Sequence, residues 1–325
     1  MNTINGNFIE KSIPDTKNAT LAINIGGVDA TITVEKFAAA TASPGGLAGT
    51  NYIYLMANGT DVENAAKLSA AYTTAQSMSP SATNRITIIA APGKYNFNSS
   101  PFVMNTQYID LVSLDGNRSV IFNSANSAGT ISITTNDVFV KGVSVETKNF
   151  TIATNLNLLK IENCIGGNSS FGGTIIVSGT FINCQGGQDS FGGNNGTASG
   201  IFTNCVGGFA SFGGYSSFGG TGAASGTFNN CTGDSFSFGA QVTASGTFRN
   251  CIGGSFAFGG LGNANGTFTN CVGDDSSFGG TIKGVGTLTG KLYYCRIITG
   301  TFNTVSGGGI TRLCLDGNNT ENNQG

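Results

Sequence analysis

The chain has 325 residues with a formal net charge of −2, and charged residues make up only 10% of it, against about 25% in ordinary domains. The low charge and the lack of a basic stripe give no indication of nucleic-acid binding. The first 14 residues contain no basic segment followed by an apolar one, and no apolar run reaches the length of a membrane span, so we expect neither a secretory signal nor membrane insertion.

Residues 1–46 differ in composition from the rest of the chain. Two runs with alternating apolar residues, 21–25 and 30–34, flank Gly-Gly-Val-Asp at 26–29, which is typical of a β-hairpin. Pro-Gly-Gly at 44–46 then indicates a linker. The hairpin resembles the particle-proximal segments of some phage fibre proteins, which implies an arm for virion anchoring or oligomerisation. A plain N-terminal cap is the alternative interpretation.

Residues 47–100 predict a strand, a helix and the first coil of a larger structure. Thr60 and Glu63 form a capping-box pattern for a helix from Asp61 to about residue 78. An apolar strand at 85–91 is followed by Pro-Gly-Lys-Tyr. This order, with Asn-Gly-Thr-Asp before the helix, resembles the entry segment of pectate-lyase-3-type proteins of the pectin-lyase-like superfamily.

The resemblance implies a right-handed parallel β-helix whose open end is covered by the helix, because uncovered coils would expose strand edges and core side chains. The superfamily includes polysaccharide lyases, glycosidases and phage tailspikes. Residues 101–315 are assigned to the β-helix, with irregular coils up to residue 163. The polar tail, 316–325, is expected to be mobile.

From Gly179 to Cys271 the chain repeats Gly-Thr-Phe-x-Asn-Cys-x-Gly-Gly followed by Ser-Phe-Gly-Gly, at a period of about 20 residues. A period of this length with Gly turns predicts a solenoid, whose coils bury apolar side chains only by stacking. A left-handed hexapeptide helix would show a period of about 18 residues instead. Eight cysteines mark the coils: Cys164, Cys184, Cys205, Cys231, Cys251, Cys271, Cys295 and Cys314.

Positions that stay the same in every coil are predicted to face inward, because alternate residues of a strand face opposite sides. The positions between them vary and are predicted to face solvent. One inward column contains Phe181, Phe202, Phe228, Phe248, Phe268 and, one coil later, Leu288. A second contains Phe171, Phe191, Phe212, Phe238, Phe258 and Phe278.

Asparagine and cysteine form two further columns. Asparagine tolerates a left-handed corner, and stacked amides would bond to one another as a buried ladder. The cysteines, among them Cys184, Cys205, Cys231, Cys251 and Cys271, are interpreted as small buried side chains, with disulfides or a metal ladder as alternatives. With no His and no Cys-x-x-Cys pair, we expect no metal and no cofactor. The asparagines are Asn163, Asn183, Asn204, Asn230, Asn250 and Asn270.

The repeats contain few groups suited to catalysis. Between Cys164 and Cys295 the acidic residues are Asp189, Asp234, Asp274 and Asp275. Asp234 and Asp274 share a register two coils apart, which implies about 9–10 Å between their backbones, near the upper limit for an inverting glycosidase pair. They are the catalytic candidates of this chain. Other coils have Gly at these positions, so solvated turn residues are the alternative interpretation.

An outward column of threonines gives a second hypothesis. Ice-binding proteins present regular Thr on a flat β-solenoid face. Here only one Thr column exists, Ile201 interrupts it, and Thr is also a favourable residue in exposed strands. The column consists of Thr180, Thr227, Thr247, Thr267 and Thr287.

Together these features predict an all-β, right-handed parallel β-helix that serves as a non-enzymatic phage virion protein, a fibre or spike-like decoration that binds a host surface. By family analogy it would be a homotrimer in the virion. Its partners would be other virion proteins, through residues 1–46, and a host surface glycan. A lyase or glycosidase of the tailspike-depolymerase kind is the alternative. A secreted adhesin would need an export signal.

Overall fold

A computed structural model describes residues 20–25, 28–33, 47–48, 51–124, 130–146, 150–172, 175–193, 196–213, 222–279, 287–299, 309–316, 318 and 320–324. The described chain is an all-β parallel solenoid with a single α-helix, which confirms the predicted fold class at this level. The predicted linker at 44–46 lies outside the described residues, as does most of the predicted N-terminal arm.

Two short antiparallel pairs precede the solenoid. Thr20–Ile25 and Val28–Thr33 form a two-stranded sheet of their own, at the position where the alternating pattern predicts a hairpin. Leu47–Ala48 then pairs antiparallel with Tyr52–Leu55, which is the first strand to pair in parallel with a later coil.

Helix α1, Asp61–Ser77, packs on the first strands of the solenoid. Its start is the predicted capping box, because the Thr60 hydroxyl accepts from the Glu63 N–H at 3.3 Å and the Glu63 carboxylate accepts from the Thr60 N–H at 2.7 Å. Tyr72, on its buried face, meets the Phe102 ring edge-on at 5.4 Å. The helix therefore covers core side chains that would otherwise face water.

One sheet, the long sheet, links the coils along the described solenoid. Its strands pair in parallel with the equivalent strand of the next coil, except for the antiparallel strands at its two ends. In chain order they are Leu47–Ala48, Tyr52–Leu55, Ile86–Ala90, Ile109–Ser113, Phe139–Lys141, Lys160–Glu162, Thr180–Ile182, Ile201–Thr203, Thr227–Asn229, Thr247–Arg249, Thr267–Thr269, Val272–Gly273, Lys291–Tyr293, Arg296–Ile297, Ile310–Leu315 and Glu321–Gln324.

Shorter parallel sheets form the other faces of the coils. The first comprises Gly93–Asn96, Val120–Asn123 and Val143–Val145, and single bridges extend the same face from Ser144 through Ile165 as far as Val272. The second comprises Phe102–Met104, Ile131–Ile133 and Phe150–Ile152. The third comprises Ile176–Val177, Thr197–Ala198, Ala223–Ala224, Thr243–Ala244, Asn263–Ala264 and Thr287–Leu288.

Two columns of phenylalanine fill the core of the repeats. Within the column from Phe181 to Phe268, successive rings stack with centroids 4.7–5.2 Å apart. Between the two columns the rings meet edge-to-face, as for Phe248 and Phe258 at 5.6 Å. Both geometries are favourable for aromatic pairs. The two columns therefore form one continuous aromatic core, fully buried from Phe171 to Phe278.

The space beside the rings admits only small side chains. A Cβ at Gly186 would lie 2.4 Å from the Ser190 side chain and 3.1 Å from the Phe191 ring. The Ser190 hydroxyl is buried and donates to the Gly187 carbonyl at 2.7 Å. The sequence repeats Gly and Ser at these positions because larger residues would collide inside the coil.

The prediction that Leu288 continues the phenylalanine column is wrong. Leu292, and not Leu288, pairs with Phe268, while Leu288 pairs with Ala264 on another face. Both leucines are buried, but Leu292 stands three residues before Cys295, the spacing at which each phenylalanine of the column precedes its cysteine, so the repeat itself indicates Leu292. The predicted mobile tail also differs, because Glu321–Gln324 pairs antiparallel with Ile310–Leu315 and satisfies backbone groups of the last coil.

The asparagine column forms the predicted chain of amide bonds, but it is not buried. Asn230 donates to the Asn204 Oδ1 at 3.1 Å, and Asn250 donates to the Asn230 Oδ1 at 3.0 Å. These side chains lie at an exposed corner, where Asn230 has a φ of 52°. Asparagine tolerates this left-handed backbone, so the corner geometry selects it, and the amide bonds come in addition.

All eight cysteines are buried and free. The Cys231 thiol donates to the Phe202 carbonyl of the preceding coil at 3.4 Å. Burial raises the pKa of the Cys164 thiol to about 12, so this thiol stays protonated at neutral pH. The cysteines act as small side chains of the core.

The aromatic core predicts a large effect of Phe248→Ala. The substitution leaves a cavity between stacked rings and is expected to cost about 3–5 kcal/mol of unfolding free energy. Chemical denaturation measures the loss. Phe256→Ala, which removes a partly exposed ring, is the matched control and is expected to cost much less. Equal losses for the two variants would contradict the assigned core.

The exposed ladder predicts a moderate effect of Asn230→Ala, about 1–2 kcal/mol, because alanine is strained at a left-handed corner. Glycine adopts this backbone freely, so Asn230→Gly is expected to be less destabilising than Asn230→Ala. Thermal unfolding of the two variants separates the contributions. Equal losses for the two variants would mean that the amide bonds, and not the left-handed backbone, account for asparagine at this position.

Candidate functional site

The structure places the two candidate acids in turns. Asp234 is exposed and accepts a hydrogen bond from the N–H of Ser235 at 2.7 Å, and Asp274 accepts one from the Thr299 hydroxyl at 2.7 Å. Gly254 occupies the coil between them and lies against the backbone of Asp234. Each carboxylate thus has a hydrogen-bond partner within the protein. The two acids lie on one face two coils apart, and among the described residues no third titratable side chain forms an ion pair with either.

The early coils hold a cluster of charges with a structural role. Arg85 forms a bidentate pair with Asp110, at 2.6 and 3.0 Å, and a further pair with Asp137. Asp110 also accepts from the N–H of Phe139 at 2.8 Å, so its buried carboxylate is fully bonded. The hydrogen bonds with Asp110 raise the pKa of the Arg85 guanidinium. This cluster joins successive coils and leaves no group free for a substrate.

Within the described part of the chain, no group of three or more His, Cys, Asp or Glu is arranged to hold a metal ion. No described helix is both long and apolar enough to cross a membrane.

The repeat pattern breaks in the last two coils. The left-handed corner that holds asparagine in the preceding coils is occupied by Tyr294 and then by Leu313, with φ of 56° and 53°. Their side chains are 59% and 51% exposed. A large side chain at such a corner is strained and gains no amide bond from Asn270 below it. The fold alone gives no reason for these residues.

An open groove of about 540 Å³ lies at this position. Its volume falls within the range of small-ligand sites. Tyr293 pairs in register with Arg312 on the next strand, so both side chains leave the same outward face of the long sheet. The lining residues are Tyr293, Tyr294, Thr311, Arg312, Leu313 and Asn323.

The C-terminal strand completes the groove. Asn323 accepts a hydrogen bond from the N–H of Leu313 at 2.7 Å, which fixes the strand beside the corner. Its amide also donates to the Glu321 carboxylate at 2.7 Å. Asp316 accepts from the N–H groups of Asn318 and Thr320 at 2.9 and 2.8 Å. The acids of this region are therefore held by local bonds.

The groove region carries basic charge. Lys291, Arg296 and Arg312 are all exposed. The ion pairs between described side chains all lie within residues 85–162, so these three cations have no described acidic partner. Along the preceding coils the outward positions of the long sheet hold mostly smaller side chains, such as Thr267 and Thr269. The groove therefore differs chemically from the repeats that precede it.

Sequence reasoning missed this site, although a signal existed. Six repeated cysteines follow an asparagine, whereas Cys295 follows Tyr294 and Cys314 follows Leu313. An interruption at a corner that favours asparagine marks a position selected for something other than folding.

No family model, curated protein or solved structure matches this chain. The groove is therefore interpreted from its own chemistry.

The corner strain predicts that Tyr294→Asn stabilises the protein. The new side chain restores the repeat residue and can donate to the Asn270 Oδ1, so we expect a gain of about 1 kcal/mol and a rise of about 2–4 °C in Tm. Differential scanning calorimetry measures it. Tyr294→Ala, which removes the ring but keeps the strain, is the control and should give no such gain. An unchanged or lower Tm for Tyr294→Asn would contradict the strain argument.

Proposed function

We propose that this protein is a non-enzymatic attachment element of the phage fibre or spike kind, which binds a surface glycan. In this proposal the solenoid is a right-handed parallel β-helix of the pectin-lyase-like type. The observation that carries the proposal is the contrast along the long sheet: small outward side chains over the repeats, then aromatic and basic side chains around one groove. A regular scaffold that ends in a surface of different chemistry suits binding better than turnover.

The state of the acids supports a binding role over catalysis. An inverting glycosidase needs one carboxylic acid and one carboxylate on opposite sides of a sugar. Asp234 and Asp274 instead lie at turns, where Asp234 accepts from the N–H of Ser235 and Asp274 accepts from the Thr299 hydroxyl of the next coil. Neither acid lines the groove.

The assignment to a virion rests on two resemblances: that of the hairpin to particle-proximal segments of phage fibre proteins, and that of segment 47–100 to pectate-lyase-3-type proteins, a group that includes phage tailspikes. A hairpin before a helix-capped solenoid suits a particle-proximal arm that organises a homotrimer. Virion proteins would be the partners of residues 1–46, and the groove would face the host surface.

The first test is the mass in solution of the full chain beside a chain that begins at Gly49, measured by light scattering. We expect a trimer for the full chain and dissociation without the arm. A monomer in both cases would overturn the fibre proposal. Polysaccharide cleavage that Asp234→Asn or Asp274→Asn abolishes would overturn the non-enzymatic role.

A further inference from the structure

We infer that the groove beside Tyr294 binds a carboxylated sugar residue, such as a uronic or sialic acid, through Arg312. This inference rests on the proposed function, because it names the ligand class of the same surface. It draws on three properties of the groove: unmatched positive charge, exposed aromatic rings and a residue pattern that lowers stability.

The basic side chains at the groove favour an anionic ligand. Arg312 lines the groove, and Lys291 and Arg296 lie on the neighbouring strands of the long sheet, each paired with the strand that carries Arg312. None of the three has an acidic partner within ion-pair distance among the described residues. A guanidinium binds a carboxylate through two parallel hydrogen bonds, so Arg312 is the group that would recognise it.

The rings of Tyr293 and Tyr294 favour a sugar as the molecule that bears the carboxylate. In the core, the phenylalanine rings stack on the rings of the neighbouring coils, as for Phe248 and Phe268, whose centroids are 4.7 Å apart. Tyr293 and Tyr294, by contrast, contact no other described ring, and Tyr294 is largely exposed. An exposed aromatic face packs on the C–H face of a sugar, while the phenolic hydroxyl bonds to sugar hydroxyls.

The strained corner at Tyr294 lowers the stability of the fold. Asparagine would fit the backbone at 294 and extend the ladder from Asn270, yet a tyrosine stands there. Binding sites are where residues unfavourable for folding are retained. The tyrosine is therefore assigned to ligand contact.

The experiment titrates the full chain by calorimetry at low salt with hyaluronan tetrasaccharide and with sialyllactose, which carry carboxylates. N-acetylchitotetraose and lactose are the neutral counterparts. We expect the carboxylated saccharides to bind at least about tenfold more tightly than the neutral ones, and Arg312→Ala to weaken their binding about 10- to 100-fold.

Arg249→Ala is the matched control. Arg249 is an exposed arginine in the same register column as Arg312, three strands or about 14 Å away along the sheet, so its removal changes the net charge equally. We expect it to leave the affinity within about twofold. Tyr294→Asn is expected to bind at least about tenfold more weakly while it unfolds at a higher temperature, which separates ligand contact from folding.

Equal weakening by Arg249→Ala and Arg312→Ala would reduce the effect to general electrostatics and overturn the inference. So would equal affinity for neutral saccharides, or no binding of either carboxylated saccharide at millimolar concentration. A trimer that binds neither saccharide would leave the fibre proposal standing and overturn only this inference. A monomer that binds them through Arg312 would do the reverse.

Discussion

In-register stacking of phenylalanine is the interaction on which the rest of this structure depends. The rings repeat at 4.7–5.2 Å within the column from Phe181 to Phe268, and a second column interlocks with it edge-to-face. The rings fix the distance between coils at the spacing that parallel strands require. They also fix which residues can stand beside them, because Gly186 and Ser190 occupy the only space left.

The residues with a left-handed backbone differ in the interactions that offset their strain. At the exposed corner, asparagine takes the left-handed conformation at low cost and adds an amide bond to each neighbour. At the buried corner, Phe191 and Phe212 hold the same conformation, with φ of 52° and 53°, and a glycine follows each. Burial of a whole ring compensates the strain at these positions. At Tyr294 and Leu313, where the repeat ends, exposed side chains hold this conformation with neither an amide ladder nor full burial.

Different elements cover the two ends of the solenoid. Stacked coils leave strand edges and core side chains uncovered at each end. Helix α1 covers the first coils, where Tyr72 packs against Phe102. At the other end the antiparallel strand Glu321–Gln324 covers one edge and leaves the groove open beside it. The groove with its aromatic and basic side chains lies at this second end.

The sequence by itself determined the solenoid, the inward columns and the start of α1, because each depends on local periodicity or on neighbours such as Thr60 and Glu63. Tertiary structure decided two further points. The direction of the corner put the asparagines in solvent. The groove exists only because stacking brings three separate strands together, since no local pattern specifies which side chains meet across coils.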